Sequence, residues 1–131
     1  MAGGVFSGGR NYAPKGLTAN NDNGAGSTMS DNNYVFAVTG TTNDANDWVT
    51  LPDIDPLPRG HDIIIICAAG SNFELRTPAG SNDKINNVDS DGTQEYLCTD
   101  TDTIRVWKAN DTWVAQSITL LGAVRTAVIP D

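Results

Sequence analysis

Three lysines, two glutamates, one histidine and two cysteines are all that 131 residues provide of these types, and each shortage closes off a class of structure or chemistry. Glu and Lys this rare leave few good helix formers, while Thr, Asn, Asp and Gly, which favour strands and turns, are abundant. One His and two Cys without a Cys-x-x-Cys pair are too few soft ligands for a structural zinc site, so no metal or other cofactor is expected. His61 stands beside Asp62, but no Gly-x-Ser-x-Gly nucleophile elbow accompanies it, and no catalytic residue is expected. No apolar run approaches the roughly 20 residues of a membrane span. The start, Met1-Ala2-Gly3-Gly4-Val5-Phe6-Ser7, lacks the charged and apolar regions of a signal peptide, so folding in a cytoplasm and no membrane partner are expected.

Positive charge is scarce as a whole. Sixteen acidic against eight basic side chains give a net charge of −8, which repels a phosphate backbone and argues against a nucleic-acid partner. The deficit is uneven, because residues 1–21 carry Arg10 and Lys15 and no acid. Residues 1–33 are also rich in Gly and Asn and sparse in apolar side chains. Such a segment cannot offset its own ordering entropy, so an extended N-terminal arm over 1–33 that leans on an acidic partner surface is expected. A β domain over 34–131 follows it.

In that domain, short apolar runs alternate with turn clusters. Strands are expected over 34–39 and 48–51, the latter ended by Pro52. Three prolines over 52–60 make a connection. Residues 61–69 and 73–77 read as a hairpin, 84–88 as at most a short strand, and 93–99 with 103–108 as a strand pair. Residues 112–116 and the runs 118–121 and 124–129 complete about eight strands, the count of a small all-β sandwich or barrel. Ile63-Ile64-Ile65-Ile66 is continuous instead of alternating, so both faces of that strand must leave water. One face enters the core. The other, Ile64 and Ile66, needs a second cover, either another sheet of the same chain or a symmetry-related subunit; the subunit is the expectation and makes the pair a candidate oligomer interface.

Other residues carry weaker signals. Cys67 and Cys98 adjoin apolar residues and read as buried free thiols, with a disulfide in an oxidising compartment as the alternative. Asn87 to Gly92 resembles the start of a calcium loop, yet Cys98 stands where the closing acid belongs, which leaves a plain Asp-Gly turn. The many Asp residues sit in turns, where they bond the local backbone, and nothing singles out a glycosidase pair. Trp107 and Trp113 flank the Asn110-Asp111 turn; packing is the favoured reading and a ligand surface for sugar stacking the alternative.

One succession has a family look: Val49-Thr50-Leu51-Pro52, the Pro/Gly connection to Gly60, the strand Ile63 to Ile66, Leu75 leading to Pro78-Ala79-Gly80, Asp83 and Ile85, Asp91-Gly92, Leu97, Ile104 and Val106, and Trp113-Val114. Over roughly 48–116 it resembles small β domains of tailed-bacteriophage structural proteins, namely head decoration (cement) proteins, head fibres and tail-fibre segments. The resemblance implies a β-tulip-like sandwich or barrel without enzymatic activity, a homotrimer on the capsid exterior of a virion, and the major capsid protein as partner. It also implies an arm reaching across capsid subunits, with Phe6, Arg10, Tyr12, Lys15 and Leu17 as its contact residues. The alternative in the same setting is a fibre-type receptor- or carbohydrate-binding module.

Overall fold

The computed structural model describes residues 10–20, 27–43, 47–86 and 95–125. Eight strands carry the fold, and no helix occurs among the described residues. They are β1 (Lys15–Thr18), β2 (Val35–Thr39), β3 (Trp48–Thr50), β4 (Asp62–Cys67), β5 (Phe73–Arg76), β6 (Glu95–Cys98), β7 (Thr103–Ala109) and β8 (Thr112–Ile118). Five form one sheet in the order β1-β2-β4-β7-β8, and three form another in the order β3-β5-β6. In each sheet the spatial order is also the chain order.

Both sheets are mixed. β1, β2 and β4 run parallel, as do β3 and β5, whereas β4-β7-β8 and β5-β6 are antiparallel. A parallel neighbour cannot be reached by a tight turn. Here β3, in the opposite sheet, lies on the path from β2 to β4, so the crossover is itself a strand.

Alternation explains the core. Phe36 and Val38 of β2, Ile63 and Ile65 of β4, and Ile104 and Val106 of β7 are wholly buried. They belong to one core cluster with Val49, Phe73 and Leu75 of the smaller sheet, giving a sandwich as the composition led one to expect. Each such side chain contributes about 1.5–3 kcal/mol by leaving water. A polar bridge crosses the interior, where the Tyr96 hydroxyl and Ser117 Oγ lie 2.8 Å apart.

Two expected strand pairs are corrected. β4 and β5 do not form a hairpin, and neither do β6 and β7, because each pair is divided between the two sheets. Residues 68–72 and 99–102 are therefore corners that carry the chain across the sandwich. Their turns are sharp, closed by Ser71 N–H to the Ala68 carbonyl and Asp102 N–H to the Thr99 carbonyl, both at 3.0 Å. Turn chemistry marks a reversal; it does not specify which sheet receives the next strand. The hairpin across Asn110-Asp111 does form, with Ala109 opposite Thr112 and Lys108 opposite Trp113. Past Ile118 the expected strand over 118–121 is instead a turn, which returns Val124 beside Ile118. The rest of the expected 124–129 strand lies mostly outside the described residues.

The N-terminal segment runs extended but is laid into the same domain. β1 is the edge strand of the larger sheet, with Leu17 beside Val38 and only 8 % exposed. Ala19 and Met29 are also core residues. Asn20 and Thr28 make bridges to Trp48 and Thr50 of the smaller sheet, so this segment ties the two sheets together along one side. The boundary expected at 33/34 thus does not divide the described structure.

A second loop is set by one carboxylate. Buried Asp47 accepts the backbone N–H groups of Thr41, Thr42 and Asn43 and the Thr42 hydroxyl. Burial pushes its acidity down, but these donors outweigh burial and hold its pKa below the ordinary carboxylate value. Gly40 is required beside it, because a Cβ there would stand 2.3 Å from Asn43 Oδ1 and 3.2 Å from the Asn72 carbonyl.

Candidate functional site

The outward face of the larger sheet collects the side chains that the core does not use. Along β4 the inward residues Ile63, Ile65 and Cys67 are buried, whereas Ile64 is half-buried and Ile66 is 40 % exposed. Strand register extends each of these across the sheet. One row runs Ala37, Ile66, Thr103, Ile118, and the next runs Val35, Ile64, Arg105, Gln116. Ile118, 40 % exposed, is bridged in turn by Val124 at 63 %. The intervening turn lifts Leu120 and Leu121 into solvent at 77 % and 95 % exposure.

That turn is pinned. Gly122 N–H donates to the Thr119 carbonyl at 2.8 Å, and Thr119 N–H to the Ala123 carbonyl at 2.9 Å. Beyond it, the Arg125 guanidinium makes two hydrogen bonds to the carboxylate of Asp102, which is wholly buried at the corner before β7. The fork anchors the chain just beyond the turn to the corner before β7. The result is a largely apolar row that ends in an exposed Leu120-Leu121 turn.

Ile64 and Ile66 thus face outward as expected, and no strand of this chain covers them among the described residues. The C-terminal members of the same row, Ile118, Leu120, Leu121 and Val124, were missed because the sequence reads there as two plain apolar runs. Gly122 between those runs, with φ of 86°, was the available signal for a turn.

The expected arm contacts scatter. Leu17 is corrected outright, since it is spent in this chain's own core. Arg10 is engaged locally: it donates to the Asn33 carbonyl at 2.8 Å and to Asp62 at 3.4 Å, and its guanidinium lies 5.0 Å over the Tyr34 ring. Tyr34 also donates to Asp62, and burial followed by the Asp62 charge raises its pKa. Tyr12 packs on Tyr34 at 5.2 Å yet stays largely exposed, and Lys15 is exposed on β1. Phe6 lies outside the described residues.

The two tryptophans do not form one surface. Trp113 points inward and is fully buried, as the favoured packing reading has it and against the alternative of a ligand surface. Trp107 points outward, half-buried, with the Arg105 guanidinium 5.1 Å over its ring. His61 sets its ring edge against Trp113, and burial and then the Arg10 charge lower its pKa.

Carboxylates converge at one other place. Those of Asp53, Asp55 and Asp83 lie within 4.8 Å of one another. Burial raises the Asp83 pKa, the Ile54 N–H offsets part of this, and the charges of Asp53 and Asp55 add to the rise. Lys108 Nζ donates to the Ile54 and Leu57 carbonyls of the same loop. The calcium-like stretch at 87–92 lies outside the described residues.

A search of protein-family models finds no match to this chain, and comparisons with curated proteins and with solved structures find none either.

Proposed function

We propose that this chain is a non-enzymatic structural protein of a virus particle, a decoration (cement) protein that sits as an oligomer, a homotrimer by resemblance, on the outer surface of a major capsid protein shell. The observation that carries the reading is the row of Ala37, Ile66, Ile118 and Val124, interrupted only by Thr103, that no strand covers among the described residues, together with the exposed Leu120-Leu121 turn. A net charge of −8 keeps such a protein soluble, so an apolar row retained on its surface is best explained as a contact. The sandwich fold and the sequence resemblance support the same reading. The fibre-type carbohydrate-binding alternative needs exposed aromatics, and of Trp107 and Trp113 only Trp107 reaches the surface.

The test separates self-association from attachment. Ile66→Asp and Ile118→Asp, both at exposed positions, are expected to leave the fold intact and to dissociate the oligomer in sedimentation velocity. Deletion of residues 1–9, which spares β1, is expected to lower occupancy on purified capsids in co-sedimentation. A monomeric wild-type protein that does not bind capsids would remove the proposal.

A further inference from the structure

Both corners of the chain lie at one end of the sandwich. Residues 68–72 lead from β4 to β5 and residues 99–102 from β6 back to β7. Side-chain bonds tie the two together: Gly70 N–H donates to the Asp100 carboxylate at 2.7 Å, and Asp100 N–H donates to the Asn72 side chain at 3.2 Å. Cys67 N–H also donates to the Asp102 carbonyl at 2.9 Å.

A cysteine closes the strand before each corner. Cys67 ends β4 in the larger sheet and Cys98 ends β6 in the smaller one. Both are buried free thiols of the same core cluster; Cys98 Sγ donates to the Tyr96 carbonyl at 3.8 Å, and burial first, then the adjoining Cys67 thiol, raise the Cys98 pKa.

We propose that Cys67 and Cys98 form a latent disulfide that joins the two sheets covalently when the protein meets a small disulfide oxidant such as oxidised glutathione. Cys67, slightly the more accessible at 3 % against 0 %, is the entry sulfur. Its thiolate attacks one sulfur of oxidised glutathione, and one glutathione thiolate leaves. Cys98, deprotonated, then attacks the Cys67 sulfur of this mixed disulfide, and the second glutathione leaves. Two protein thiols are oxidised by two electrons, one glutathione disulfide is reduced to two glutathiones, and the two thiol protons pass to the departing glutathiones through solvent.

The closed fold slows both steps. Burial, with Cys67 adjoining, pushes the Cys98 thiol well above its ordinary pKa, so little thiolate forms while the corner is shut. Thr101 marks where the corner gives way: it is β-branched and held at a φ of 60°, a region such residues rarely occupy. Oxidation therefore follows local opening. Once formed, the bond closes a loop of about 30 residues, long enough for a cross-link to restrict the unfolded chain substantially. The inference is independent of the proposed function.

Native protein incubated with oxidised glutathione, at urea concentrations rising to the unfolding midpoint, tests it. The expected result is a monomer without free thiols, a Cys67–Cys98 linked peptide in mass spectrometry, and a rate that rises with urea. Its Tm should rise by about 5–15 °C, reversibly with dithiothreitol, and the Cys67→Ala/Cys98→Ala double variant should show no redox-dependent shift. Persistent thiols at the midpoint, glutathione adducts, intermolecular dimers, or an internal disulfide that lowers Tm would each overturn the proposal.

Discussion

Asp83 and His61 are both held against their preferred charge state, with opposite consequences for pH. Burial is the first cause in each case, raising the Asp83 pKa and lowering that of His61. For Asp83 the fold loses stability as pH rises from the ordinary carboxylate value of about 3.9 through the raised one. Asp83→Asn should therefore raise the urea midpoint at pH 7, and the advantage should vanish at a pH below both values. For His61 the neutral ring is favoured, so its contribution is intact above about pH 6.5 and is lost as pH falls from there through the lowered value. Urea melts of wild type and Asp83→Asn between roughly pH 3 and 7.5 distinguish the two slopes.

At the scale of elements, β1 is the instructive case. Its low hydrophobicity reads as an arm, yet it pairs in the sheet with Leu17, its one buried side chain, beside Val38. Leu17→Ala is expected to cost about 2–3 kcal/mol in chemical denaturation; a free arm would give no change. Ile63 to Ile66 was legible, because a continuous run demands two covers whatever the topology. So was the β7-β8 hairpin, where a turn joins strands that also pair. β4 with β5 and β6 with β7 were not, since the signals at 68–72 and 99–102 are local and their partners were set elsewhere in the chain. The outward pair Ile64 and Ile66 was found by period alone, whereas Leu120 and Leu121 depended on a turn at Gly122 that two apolar runs disguised. Trp113 shows the limit from the other side: a tryptophan two residues beyond a turn can face either way, and register decides.

For the whole molecule, charge opposes compactness. A net charge of −8 on 131 residues is self-repulsive, and the partly exposed ion pair of Arg105 with Asp62 at 3.8 Å offsets little of it. Screening should therefore stabilise the fold: Tm is expected to rise between roughly 20 mM and 500 mM sodium chloride, as the Debye length shortens. A fall with salt in calorimetry would mean that attractive pairs dominate.

Strand order in each sheet follows chain order, and this bears on how the protein is made. As the chain leaves the ribosome, every new strand meets an existing sheet edge: β2 joins β1, β4 joins β2, β7 joins β4 and β8 joins β7, while β5 joins β3 and β6 joins β5. No pair already formed has to open to admit a later strand. Synthesis can thus lay down both sheets outward in one direction, each exposed edge serving only until its successor emerges.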